Sequence, residues 1–255
     1  MNYMNLSLAW MGALNMALAL SGCTNGIETG LSAPEGIPVT VFAEISPVTK
    51  SGEAVSSDNS FDRTFFLSGD QIKVTRTKKA SGTAAPQSAS YRYDGTSAWT
   101  VVGTSPVTLE PAVTYSAQFP ADYSAINQFQ TTSAAYLASN LLKTGDATSS
   151  DGTLDFTSSG KPFTHVNSKL TLMFTVKRET SIANDAVTVA ATGIRTAVST
   201  NQTITLYRPY PGDASRKYEW CGILRAVGGS MGTSVTDLTV SLTCDGVTYK
   251  ATLTG

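Results

Sequence analysis

The feature that most constrains this chain is a short apolar–polar alternation that recurs along its length. It is clearest at Lys169–Lys177, where Leu170, Leu172, Phe174 and Val176 fall on one side and Lys169, Thr171, Thr175 and Lys177 on the other. A period of two fits a strand with one buried face and does not fit a helix. The same pattern marks 38–46, where Val39, Val41, Ala43 and Ile45 share a face. It returns at Val187/Val189, Ile204/Leu206, Leu238/Val240/Leu242 and Val247–Leu253. Further strands are expected near 61–67, 70–77, 89–94, 98–102, 113–119 and 154–156, between turn signals such as Ser68-Gly69-Asp70 and Asp94-Gly95. One short helix is expected within 131–143, where Leu137 and Leu141 lie four apart. Many short strands with almost no helix predict an all-β chain of antiparallel β-sandwich architecture. The strand count and the polar loop at 144–162 divide it into two sandwiches in tandem, 38–160 and 161–255. No fixed-period repeat argues for a propeller or solenoid.

Composition narrows the function. Ser and Thr make up about a quarter of the 255 residues, and 15% are charged, against about 25% in an average domain. The net charge of −1 offers no field to gather a phosphate backbone, which argues against a nucleic-acid partner. The single histidine, His165, leaves no set for a His-rich metal centre and little acid–base chemistry near neutral pH. Gly228-Gly229-Ser230-Met231-Gly232 matches the pattern of a nucleophile elbow. Its flanks read as strands, however, and the histidine precedes the serine, so Ser230 reads as a loop residue. No catalytic residue, metal or cofactor is expected. The basic residues Lys73, Arg76, Lys78 and Lys79 read as charges guarding an edge strand or solvating a loop.

Residues 1–22 carry no charged side chain and hold an apolar stretch from Leu6 to Leu20, the length of a secretory signal core and short for a membrane span. The stretch ends in Leu20-Ser21-Gly22-Cys23, which resembles a bacterial lipobox. Cys23 is therefore the expected lipidated N-terminus, with 23–37 as a tether to the membrane. Two cysteines remain, Cys221 and Cys244. A hairpin joining 218–225 to 236–243 would set Cys221 opposite Val240, about 13 Å along the strand from Cys244, which argues against a disulfide. Tyr91, Tyr93 and Trp99 admit two readings: cross-strand packing, or a flat platform for stacking sugar rings on a surface glycan-binding lipoprotein.

Several segments, in order, resemble the fimbrillin-like (Mfa-like) lipoproteins of anaerobic bacteria. They are Phe66-Leu67-Ser68-Gly69-Asp70-Gln71-Ile72-Lys73-Val74, the Tyr91–Trp99 hairpin, Tyr115-Ser116-Ala117-Gln118-Phe119-Pro120, Asn140-Leu141-Leu142, and Phe163-Thr164-His165-Val166-Asn167-Ser168-Lys169-Leu170. The resemblance implies two transthyretin-like sandwiches and a lipid-anchored protein of the outer membrane. It further implies a pilus subunit or accessory acting in adhesion, with host or bacterial surface receptors as partners and no catalytic duty for His165. In that family a first strand is often removed by proteolysis and replaced by one from another subunit. The family also continues past a segment like 246–253 into a further strand or strand pair. Here Lys50, in the polar loop after the first strand, and Arg63, where the next strand begins, are the only basic residues before Lys73 and so the early targets for a trypsin-like protease, which would remove 24–50 or 24–63.

Overall fold

β-Branched and aromatic side chains recur at every second position, and the backbone answers with strands. The computed structural model describes residues 36–46, 63–77, 85–175, 187–191, 203–225, 237–244 and 247–254. Among them the chain is all-β around one short helix. The strands are β1 (Thr40–Ala43), β2 (Gln71–Arg76), β3 (Gln87–Tyr93), β4 (Trp99–Val101), β5 (Tyr115–Phe119), β6 (Leu142–Lys143), β7 (Thr153–Phe156) and β8 (Thr164–His165). After these come β9 (Ser168–Met173), β10 (Val187–Ala191), β11 (Thr203–Thr205), β12 (Glu219–Leu224), β13 (Asp237–Cys244) and β14 (Val247–Thr254). The helix α1 (Ser133–Ser139) lies between β5 and β6.

An antiparallel sheet runs in the order β4-β3-β2-β5-β6-β8, and a parallel pair, β1-β7, accompanies it. The register Ile72↔Tyr91 and Val74↔Ala117 aligns apolar side chains on one face of the sheet. Val41 of β1 and Leu154 and Phe156 of β7 belong to the same buried cluster, so the parallel pair covers that face. Phe66 stands within this core, edge-on to Trp99 at 4.9 Å, Phe163 at 5.3 Å and Phe119 at 5.4 Å. Such pairs add about 0.5–1.5 kcal/mol each beyond the area they bury. The Asp94-Gly95 turn brings β3 back into β4. The Asp94 carboxylate accepts the backbone N–H groups of Thr96, Ser97 and Ala98, and Gly95 (φ 96°) lies so near Ser68 that a Cβ there would meet the Ser68 Cβ at 2.8 Å.

A second core joins a four-stranded sheet, β11-β10-β13-β14, to the pair β12-β9. Ile204, Leu206, Trp220 and Val240 are buried there, with Leu170, Leu172, Phe174 and Leu242 packed around them. A third cluster lays α1 and the segment before it on β12 through Ile126, Tyr136, Cys221 and Ile223. Its polar centre is Gln130, which is fully buried. The Gln130 side chain accepts from the Ile223 N–H at 2.7 Å and donates to the Ile223 carbonyl at 2.8 Å and the Asn127 carbonyl at 2.9 Å. One edge of β12 pairs with β9, and on the other Cys221 exchanges backbone bonds with Tyr207. Gln130 thus takes the place of a neighbouring strand at the next position along that edge.

Three of the strand expectations are revised, while the one short helix forms inside its expected span of 131–143. Residues 63–67, expected within a strand, are irregular, because the Ser68-Gly69 turn and the insertion of Phe66 into the core end any alternation. The helix stops at Ser139, since Asn140 leaves helical geometry (φ −87°, ψ 87°) and Leu142 joins the sheet. β2 is not an edge strand: it lies between β3 and β5, and its Arg76 is buried. The hairpin between 218–225 and 236–243 does not form. β12 pairs with β9, placing Cys221 opposite Thr171, while β13 pairs with β10 and β14. Glu219 to Ile223 are all buried, a run without alternation that suits a strand enclosed on both faces rather than one arm of a surface hairpin. Gly222 belongs to the same enclosure, because a Cβ there would collide with the Leu206 side chain.

Two predictions follow from this packing. Gln130→Ala leaves the Ile223 peptide groups without partners, and is expected to lower unfolding free energy by about 2–4 kcal/mol in urea denaturation. A loss below about 1 kcal/mol would show that the amide does not hold this edge. The second concerns acid. The Thr96 N–H lowers the pKa of Asp94, the Thr153 N–H that of Asp151, the Thr157 hydroxyl that of Asp155, and the Ser215 hydroxyl that of Asp213. Asp70 opposes them, its pKa raised by burial against the Leu67 N–H and Arg63. Stability from the lowered group is present above the ordinary aspartate pKa of about 4 and is lost as pH falls through the folded values. The melting temperature is therefore expected to drop below about pH 4, and less steeply in Asp94→Asn/Asp155→Asn. A rise in melting temperature on acidification would assign the dominant role to Asp70.

Candidate strand-exchange site

β1 and its flanks, residues 36–46, are the described part of the first-strand segment, and their pairing can be followed residue by residue. The predicted face is buried: Val39, Val41 and Ile45 are each under 7% exposed, and Ala43 is half-buried. Thr40 and Phe42 point outward. The segment changes partners along its length. Its first part runs antiparallel to 107–109, with Val39 N–H donating to the Val107 carbonyl (2.9 Å), Leu109 N–H to the Ile37 carbonyl (2.7 Å) and Gly36 N–H to the Leu109 carbonyl (3.2 Å). Its second part runs parallel to β7 from Thr40↔Thr153 to Ala43↔Phe156. Beyond β7 the pairing passes to Phe163, whose N–H donates to the Glu44 carbonyl and whose carbonyl accepts from Ser46 N–H. The segment therefore sits in a groove with one wall at 106–110 and the other at 152–163.

Each wall has its own anchorage. Leu154, Phe156 and Phe163 are fully buried, which fixes the second wall by packing. The first is fixed by side chains of the large sheet. Arg76 Nη1 donates to the Thr108 carbonyl and hydroxyl at 3.1 and 2.8 Å, and Gln87 donates to the Pro106 carbonyl while accepting from Thr108 N–H. Val107 N–H donates to the Tyr91 hydroxyl at 3.0 Å, and Glu110 N–H to the Tyr115 hydroxyl at 2.8 Å. Burial raises the pKa of both phenols, so they remain protonated at neutral pH. Arg76, Gln87 and Tyr115 were not legible as groove residues, because no spacing in the sequence links them to 106–110.

The other predicted residues divide by location. Cys23, Lys50 and Ser230 lie outside the described residues. The Arg63 side chain is 12% accessible, pairs with Asp70 at 3.2 Å and stands over the Phe119 ring at 5.7 Å. Tyr91 and Trp99 are buried in the first core. Tyr93 stacks on Trp99 with ring centres 5.0 Å apart and turns its hydroxyl to the Thr96 carbonyl. The ring faces that a sugar would need at Tyr91 and Trp99 are therefore enclosed by protein. His165 Nδ1 lies 3.0 Å from Asn140 Oδ1, tying the β8 end to the turn after α1. The segments carrying the family resemblance thus meet: Phe66, Tyr91, Trp99, Tyr115, Phe119 and Phe163 share one core, and Asn140 meets His165 beside it.

No protein-family model matches the chain, and no curated protein matches it in sequence. By structure it is similar to a fimbrial protein from Bacteroides ovatus, at 15% identity and a TM-score of 0.42, over 88% of this chain and 46% of that one. It spans about half the length of that protein. It is similar also to a proposed cell adhesion protein from Bacteroides fragilis (16% identity, TM-score 0.43, 86% of this chain and 88% of that one). A proposed cell adhesion protein from Parabacteroides distasonis is a third (11% identity, TM-score 0.48, 86% of this chain and 80% of that one).

Proposed function

We propose that this is a non-enzymatic surface protein of fimbrillin type, a structural subunit or accessory of pili acting in adhesion. It is anchored in the outer membrane through a lipid on Cys23, with two transthyretin-like sandwiches in tandem, the first of which takes in Phe163 and β8 beyond the 160/161 boundary expected from sequence. The observation that carries the proposal is the seating of 36–46 between two walls, paired with β7 on one side and on the other with a 106–110 segment that side chains of the large sheet hold in place. Its removal would expose Val39, Val41 and Ile45, at roughly 1.5–3 kcal/mol each, or about 5–9 kcal/mol of hydrophobic driving force. It would also free the carbonyls of Val107, Gly152, Phe156 and Phe163, which accept from the strand in the intact chain. An alternating strand from another subunit, running in the direction of 36–46, satisfies both demands. The convergence of the fimbrillin-like segments on one core supports the same reading, since they resemble the family at positions that pack together.

Lys50 follows the first strand in a polar, Ser-rich stretch of sequence of the kind that proteases cut. Cleavage after Arg63 requires its release from Asp70 and Phe119. Limited trypsin digestion is therefore expected to cut first at Lys50, and Lys50→Gln to slow the first cut more than Arg63→Gln does. Sizing the trimmed chain with and without a synthetic 38–46 peptide completes the test. A chain that neither takes up the peptide nor assembles after trimming would end the strand-exchange reading. Anchoring is tested separately. Cys23→Ala is expected to abolish lipid labelling and leave an unprocessed or released protein, and unchanged membrane attachment in that variant would remove the lipid from the proposal.

A further inference from the structure

The 106–110 wall is an irregular segment with one bridge, Thr108 to Pro38, held in place without a strand behind it. Its groups alternate in direction. The Val107 carbonyl, the Leu109 N–H and the Leu109 carbonyl face 36–39, whereas Pro106 and Thr108 turn back to the sheet. Of the backbone donors at Val107, Thr108, Leu109 and Glu110, only the Leu109 N–H is spent on the β1 segment. The other three are bound by Tyr91, Gln87 and Tyr115 side chains that rise from β3 and β5. Arg76, from β2, holds the Thr108 carbonyl with one guanidinium nitrogen and the Ala85 carbonyl with another. Val107 and Leu109 are fully buried, so the wall is packed as well as bonded.

We infer that 106–110 is a preformed half of the strand-binding groove, with Arg76, Gln87, Tyr91 and Tyr115 as the positioning residues that keep it shaped when β1 is absent. The inference rests on the strand-exchange reading for its purpose and on these hydrogen bonds for its substance. An ordinary loop beside a departing strand would lose its own order, and an incoming strand would have to rebuild it on binding. Here an incoming strand meets donors and acceptors already aligned. The one N–H and two carbonyls left facing the groove are all met by an antiparallel strand running in the direction of 36–46.

Amide hydrogen exchange on the full chain tests this residue by residue. In native-state exchange at rising denaturant, Leu109 N–H is expected to exchange with the amides of 39–46 in a low-energy opening. The amides of Val107, Thr108 and Glu110 should remain at least tenfold better protected. The full chain carrying Val41→Asp, whose own β1 cannot seat a carboxylate in the core, should show the same split without denaturant. It should bind a fluorescent 38–46 peptide. Adding Gln87→Leu should weaken that binding at least tenfold, and should cost more protection at 107–110 with β1 unseated than in the otherwise unaltered chain, where β1 still pairs with Val107 and Leu109. A merely structural glutamine would instead cost the same with β1 seated or unseated. Loss of protection at 107, 108, 109 and 110 in a single step would overturn the inference, as would peptide binding that Gln87→Leu leaves unchanged. Protected wall amides with no peptide uptake would overturn the receptor role together with the strand-exchange reading, and so separate that failure from a wall that melts. Should Val41→Asp fail to fold, exchange in the unaltered chain decides the matter.

Discussion

Phe66 meets Trp99, Phe119 and Phe163 edge-on, and the first core is arranged about that contact. Each partner arrives from a different part of the sheet or its cover: the β3–β4 hairpin, the end of β5, and the chain just before β8. Edge-to-face packing is directional as well as apolar, because ring edges and faces carry opposite partial charge. The contact therefore sets both the distance and the orientation of these elements. β1 and β7 then close over the same core, and the seat of β1 inherits its shape from residues far away in sequence.

A second constraint is the treatment of strand edges. An exposed edge is a template for pairing with other chains. Among the described residues, Gln130 and Gln87 each meet a backbone edge with a side-chain amide in place of another strand. Gln130 answers both peptide groups of Ile223 on β12, and Gln87 answers Pro106 and Thr108 on the groove wall. A primary amide carries a donor and an acceptor side by side, as a peptide group does, so it can stand in for one residue of a neighbouring strand. The consequences differ. At β12 the amide closes an edge permanently, inside a buried cluster. At 106–110 it secures the back of a segment whose front is paired with 36–39.

The strand positions were legible where one face is buried and the other is wet. β1, β2, β3, β5 and β9 follow the alternation of their sequences, and Val39, Val41 and Ile45 occupy the predicted face. Pairing was less legible. β12 was expected to fold back on β13, because the two lie near each other in sequence. It pairs with β9 instead, since Trp220, Cys221 and Ile223 need cover on both faces. Arg76 shows the same limit at a single residue. In sequence it continues a basic run, whereas in the fold its guanidinium is buried against the carbonyls of Thr108 and Ala85.

By itself the sequence determined the all-β class, the positions of most strands and the buried face of the first strand. These depend on period and side-chain shape, which are local properties. The groove belongs to the tertiary structure alone. Its walls come from 106–110 and 152–163, and the residues that hold the first wall come from three different strands. Hydrogen bonds between residues so far apart in the chain leave no spacing to read, because what brings them together is the closing of the core around Phe66. Tertiary packing likewise decided that Tyr91 and Trp99 face inward. A flat aromatic on a strand serves either face equally well, and only the side on which the sheet is covered settles which one it takes.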